Sequence, residues 1–200
     1  MSRMLVTAAT VFVLAACGRE ITQRLQDPQL MKTWENTEAD GGVVRLPMKS
    51  FIKYSGDDFE EVYTFYEKSD RAVPAAELRY SGTFFLHDKQ ASGNRAIDFD
   101  YRKAQLVALT EKGRKILEGL DVCGFETFEI NKPNEITNIK KGLDCPFRQV
   151  PTKQFGLYRI EDGKLLVGDG WGFKSVATAE KDRPSDLDRD NPLVASQRNL

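Results

Sequence analysis

Leu78-Arg79-Tyr80-Ser81-Gly82-Thr83-Phe84-Phe85-Leu86-His87 is the stretch that decides the fold. Leu78, Tyr80, Gly82, Phe84 and Leu86 alternate with Arg79, Ser81, Thr83, Phe85 and His87, and residues two apart share one face of a strand. One long strand is expected, with Gly82 marking a bend or bulge. Ser92-Gly93-Asn94 then turns the chain. Beyond it Ile97, Phe99 and Tyr101 face one way, Asp98, Asp100 and Arg102 the other, and Ala104 to Leu109 extends the same sheet.

The rhythm continues on both sides. Met48 to Tyr54 reads as a strand, Ser55-Gly56-Asp57-Asp58 as its turn, and Phe59 to Tyr66 as the returning strand. In that return Val62, Thr64 and Tyr66 share one face and Tyr63 and Phe65 the other. Ser69 to Ala76 contains Pro74 and reads as a loop. Phe155 to Ile160 and Lys164 to Gly168 flank Glu161-Asp162-Gly163, and Asp-Gly is a strong hairpin signal. Thr127 to Ile130 and Glu135 to Ile139 flank Asn131-Lys132-Pro133-Asn134, a second expected hairpin. One segment breaks the period of two: Thr110 is an N-cap residue before Glu111 to Leu120, where Ile116, Leu117 and Leu120 fall on one side of a short helix. Gly113 is unfavourable inside it. Many short strands and one helix make a mainly β, antiparallel barrel or sandwich the expected architecture.

Composition supports a single domain with a real core: 200 residues, 40% hydrophobic, twelve phenylalanines. A formal net charge of −1 and the lack of a basic stripe argue against a nucleic-acid partner. Ahead of the domain, Arg3 precedes an uncharged run from Met4 to Ala16, closed by Leu14-Ala15-Ala16-Cys17. That run is too short to span a bilayer, which takes about 20 apolar residues. The tetrad resembles the bacterial lipobox, in which the cysteine is acylated and becomes the mature N-terminus. The resemblance implies a signal peptide over 1–16, lipidation of Cys17 and a membrane anchor in the cell envelope. Gly18 stands where aspartate marks inner-membrane retention in enterobacteria, which implies the outer membrane. Residues 17–30 are then a tether or a first helical turn, 31–178 the barrel, and 179–200 an irregular tail.

Export places Cys123 and Cys145 in an oxidising compartment, where a disulfide is expected. The rival reading, two metal-ligating thiolates, lacks companions, since His87 is the only histidine. No motif for a metal or cofactor is present: the alternating aspartates Asp182, Asp186, Asp188 and Asp190 lack the glycine and glutamate of a calcium loop, and read as local ion pairs with Arg183 and Arg189.

A set of landmarks spans most of the mature chain: Trp34; Tyr63-Thr64-Phe65-Tyr66; Tyr80-Ser81-Gly82-Thr83-Phe84; Ala96-Ile97-Asp98-Phe99; Cys123-Gly124-Phe125; Gly156-Leu157-Tyr158-Arg159-Ile160 leading to Leu165; and Arg183-Pro184-Ser185-Asp186-Leu187-Asp188. Together they resemble the small bacterial lipocalin-like lipoproteins, relatives of the extracellular domain "down-regulated by adenomatosis polyposis coli". Arg71-Ala72-Val73-Pro74 keeps the proline of a Cys-x-x-Pro element and lacks its cysteine. The resemblance implies a curved lipocalin-like barrel or half-barrel that holds a hydrophobic molecule, and it carries over no catalytic residue.

Candidate chemistry is therefore sparse, and a non-enzyme is expected. His87, beside Asp88, falls on the outward row, and a lone outward imidazole is more often solvated than catalytic. Asp98 and Asp100 form an outward polar pair that calls for solvent or for a partner such as Arg95 or Arg102. Tyr63, Phe65, Tyr80, Phe84, Phe99, Tyr101 and Tyr158 either fill a core or line a pocket for a small apolar ligand or lipid. Trp171, presented with Phe173 among Gly168, Gly170 and Gly172, either plugs the barrel end or touches that ligand. The leading expectation is a membrane-anchored lipoprotein binding an apolar molecule. The alternative is a non-catalytic envelope interaction module with a solid barrel, touching protein or peptidoglycan.

Overall fold

The structure, a computed structural model, describes residues 25–36, 40–41, 46–120, 122–139, 145–168 and 177–198. Its strands are β1 (Thr33–Asn36), β2 (Asp40–Gly41), β3 (Leu46–Ser55), β4 (Asp58–Tyr66), β5 (Pro74–Lys89), β6 (Arg95–Ala108), β7 (Pro133–Glu135), β8 (Thr152–Glu161), β9 (Lys164–Gly168) and β10 (Leu187–Ala195). Pairing runs β1-β10-β9-β8-β6-β5-β4-β3, and β1 also pairs β3, so the sheet closes on itself. The result is a closed antiparallel barrel of eight strands, with β2 added along β3 and β7 along the far half of β6. Among the described residues closure leaves no long open edge for another chain to extend.

The strands expected over Met48 to Tyr54, Phe59 to Tyr66, Leu78 to His87, Ile97 to Leu109, Phe155 to Ile160 and Lys164 to Gly168 are present, and the long β5 bends at Gly82 as expected. The register of β5 and β6 shifts between Ser81 and Gly82, which leaves Arg102 as the extra residue of a bulge. A Cβ on Gly82 would stand 1.9 Å from the Asp100 carbonyl oxygen, so only glycine fits. At the β8–β9 turn, Asp162 and Gly163 both take positive φ, 52° and 75°, as a tight hairpin turn demands.

The helix α1 (Glu111–Gly119) also forms as read, with the Thr110 side chain accepting a hydrogen bond from the Gly113 N–H at 3.1 Å. Gly113 has a packing reason to be there. A Cβ at this site would lie 1.9 Å from the Ala75 carbonyl oxygen, and Leu109 and Thr110 donate their N–H groups to that same oxygen. The helix is thus drawn tightly onto the start of β5.

Four expectations are corrected. The tail over 179–200 is not irregular: Leu187–Ala195 is β10, which closes the barrel between β9 and β1, with the pairing irregularity around Pro192 absorbing the proline's missing donor. The tether expected over 17–30 does not extend to residue 30. Asp27 accepts a hydrogen bond from Tyr158, and Leu30 is fully buried and accepts one from the Trp34 indole. The hairpin around Asn131–Asn134 does not form; β7 pairs β6 instead, and Ile130 makes only a bridge to Ala108. The loop expected through Ala76 ends earlier, since β5 begins at Pro74. The leader over 1–16, Cys17, Trp171 and Phe173 lie outside the described residues.

Candidate functional site

Alternation on β4 points Phe59, Glu61, Tyr63 and Phe65 into the lumen, and the register sets Glu61 between Ile52 of β3 and Tyr80 of β5. A carboxylate at 2% exposure in an aromatic barrel must be paired, because desolvation of a lone charge costs many kcal/mol. Its partner comes from a distant loop. Cys123 and Cys145 form the expected disulfide, and three residues beyond Cys145 the chain sends Arg148 into the barrel. Arg148 Nη1 donates to Glu61 Oε2 at 2.8 Å. The Tyr101 hydroxyl donates to the same oxygen at 2.9 Å, and the Tyr63 hydroxyl donates to Oε1. The Arg148 backbone N–H donates to the Tyr80 hydroxyl at 3.1 Å.

The guanidinium also lies over two rings, 4.2 Å from the Tyr101 centroid and 4.9 Å from that of Tyr80. Such cation–π contacts are each worth about 0.5–2 kcal/mol, the upper end when desolvated. Burial pushes the Tyr63 hydroxyl well above its ordinary pKa, and the Glu61 charge adds to this while Arg148 opposes it. For Tyr101 burial again leads and Arg148 opposes. Both phenols thus stay protonated and act as donors to the carboxylate.

Above this cluster the rings pack on one another. Phe59 meets Tyr101 at 4.7 Å and Phe99 at 5.1 Å, while Tyr54 meets Phe84 at 5.1 Å, all edge to face. Bare Gly82 lets Phe59 close in, since its ring edge would be 3.1 Å from any Cβ there. Edge-to-face pairs are favourable by roughly 0.5–1.5 kcal/mol beyond the area they bury.

Tyr63, Phe65, Tyr80, Phe84, Phe99, Tyr101 and Tyr158 are each at most 5% exposed. They form one connected core, and the structure brings all seven together. Tyr158 differs at its tip: its hydroxyl donates to Asp27 Oδ2 at 2.9 Å, with Arg95 at 3.7 Å from the same oxygen. This tip stands in an open cleft of about 280 Å³ at the end of the barrel where β6 begins.

The outward polar residues find partners. His87 Nε2 lies 2.9 Å from Asp98 Oδ2, and Arg183 donates to Asp98 Oδ1 at 2.7 Å; Asp100 pairs with Arg102. Arg183 and Arg189 were expected to pair within the tail. Arg183 does keep a local ion pair, 3.8 Å from Glu180, but its shorter contacts span to Asp98 and to the carbonyls of Ile97 and Gly156, and Arg189 reaches Glu161 at 3.3 Å. Among the described residues no group of three or more histidine, cysteine or acidic side chains could hold a metal ion.

No family model matches this chain, and no curated protein does. Its reading therefore rests on the barrel and on the contacts described above.

Sequence reasoning passed over Glu61 and Arg148. Glu61 carried a usable signal: it is in phase with Tyr63 and Phe65, so parity alone sets an acid among ring neighbours. Arg148 carried none, lying in a loop whose path depends on a disulfide and on tertiary packing.

Proposed function

We propose that the chain is a lipid-anchored protein of the cell envelope whose lipocalin-like barrel is filled by its own side chains and works from its outer surface as an interaction module. One observation carries this reading. A salt bridge crosses the lumen between Glu61 and Arg148, locked by three tyrosines at the level where a carried ligand would sit. A small apolar guest would have to displace a paired charge as well as packed rings. The Leu14-Ala15-Ala16-Cys17 signal supports the anchor, Gly18 supports the outer membrane, and the closed β barrel is what such a lipocalin-like lipoprotein would present. We assign it no catalytic role.

The lumen is tested by titrating the purified protein with N-phenyl-1-naphthylamine, a neutral apolar probe. No saturable fluorescence rise is expected. Saturable micromolar binding would restore the carrier reading, in which Tyr63, Tyr80 and Tyr101 move aside for a ligand. The anchor is tested separately by intact mass of protein taken from envelopes, which should show a chain starting at Cys17 and bearing acyl groups.

A further inference from the structure

The cleft at the β6-start end has a composition unlike the rest of the molecule. The chain as a whole carries a net charge of −1, yet three cations, Lys89, Arg95 and Arg159, line this one opening beside a single carboxylate, Asp27. That carboxylate is already engaged by the Tyr158 hydroxyl and Arg95. Arg159 holds Glu161 at 2.5 Å and the Ser92 carbonyl at 3.3 Å, while its Nε–H is buried with no partner among the described residues. Lys89 has no acidic partner among the described residues and is exposed at the rim. Ile160 and the Tyr158 ring supply an apolar wall. At about 280 Å³ the space is below the range of drug-sized pockets and suits a compact polar group.

Position adds a second argument. The cleft begins at Gln26, nine residues after Cys17. An extended chain covers at most ~3.6 Å per residue, so the opening lies within roughly 30 Å of an acylated Cys17. A basic site so close to a bilayer meets a high local concentration of anionic headgroups, which attract cations held near the surface.

We propose that this cleft receives the phosphate group of an anionic phospholipid headgroup, drawn from the membrane that holds the anchor, with Lys89, Arg95 and Arg159 around the phosphate. The placement of the ligand rests on the anchored reading above; the cleft's chemistry does not.

The test uses the mature protein isolated from envelopes in a neutral detergent. It is titrated with dihexanoyl-phosphatidylglycerol, with dihexanoyl-phosphatidylcholine and with inorganic phosphate, and binding is read as amide protection over residues 89–95 and 158–160. Saturable protection by the glycerol lipid, at least tenfold tighter than by either comparison, is expected. Lys89→Glu, a change at an exposed site without an acidic partner, should weaken it about tenfold, as should Arg95→Gln. Equal saturation by inorganic phosphate would overturn the lipid assignment in favour of a free anion. Absence of protection by all three, or equal affinity in Lys89→Glu, would overturn the site. The intact mass of the same preparation separates the two readings: an acylated protein that does not bind counts against the cleft, and an unacylated one that binds counts against the anchor alone.

Discussion

The two ends of the barrel solve opposite problems with the same residue types. Toward the end where β6 finishes, an arginine and a glutamate are buried together and braced by tyrosines, the arginine three residues beyond the Cys123–Cys145 disulfide. At the end where β6 begins, arginines, a lysine and a tyrosine hydroxyl surround an aspartate in an open cleft. Charge that is matched and dried acts as a fastener, whereas charge left in excess and wet is free to meet a partner. The aromatic lumen, not the polar rim, is thus committed to structure.

The sharpest way to break that contrast is to cut the fastener. Removing one partner of a buried pair strands the other, at a cost of about 3–5 kcal/mol. Arg148→Ala and Glu61→Ala should each lose that much in urea unfolding, a large share of the 5–15 kcal/mol typical of a domain. The double variant Glu61→Leu/Arg148→Met should lose far less than the sum, because neither charge is then left alone. Additive losses would mean that the pair is not coupled as drawn. By contrast, Lys89→Ala and Arg95→Ala at the open end should shift stability by no more than about 1 kcal/mol.

Next in size is the disulfide, which closes 22 residues and ends three residues before Arg148. Its removal in Cys123→Ser/Cys145→Ser should cost roughly 2–4 kcal/mol by the loop-entropy account. If the bridge serves to aim Arg148, that loss should shrink in the Arg148→Ala background, which a double-mutant cycle measures. Smaller again is Gly113→Ala. The helix gains about 1 kcal/mol in propensity, but the methyl would press on the Ala75 carbonyl at 1.9 Å, so a net loss of about 1–3 kcal/mol is expected. An increase in stability would show that α1 can lift from β5.

The same contrast explains what could be read from the chain beforehand. Alternation named the strands, the bulge at Gly82 and the inward ring set, because period two is a local property. Thr110 and the Asp162-Gly163 turn were legible for the same reason. The tail was not: Leu187–Ala195 holds Asp188, Arg189, Asp190 and Pro192, a composition that argues against a strand and is overridden by barrel closure. Nor was the burial of both faces of β4: Val62 and Thr64 are both buried, and Thr64 meets residues far away in sequence. Arg198 is one of these, donating to Thr64 Oγ1 at 3.0 Å and to Glu77 Oε1 at 2.7 Å while lying over the Phe51 ring at 4.5 Å.

That outer clasp supplies the smallest and most specific prediction. Burial pushes the Glu77 carboxyl up, but hydrogen bonds and charge from Arg79 and Arg198 outweigh it and leave the group below its ordinary value. A carboxylate with a lowered pKa in the fold contributes stability that is fully present above its unfolded value of about 4.3, and that is lost as pH falls through the folded value. Acid should therefore weaken the grip of the C-terminal segment on β4 and β5. In Arg198→Ala the Glu77 carboxyl is less depressed, so the drop in thermal midpoint from pH 5 to pH 3 should be shallower than in the parent. The size is bounded by the partly exposed Arg198 to about 1 kcal/mol or less. An identical acid slope in the variant would mean that Arg79 alone holds Glu77 and that the end of the chain merely covers β4, as the loops at the open end cover theirs.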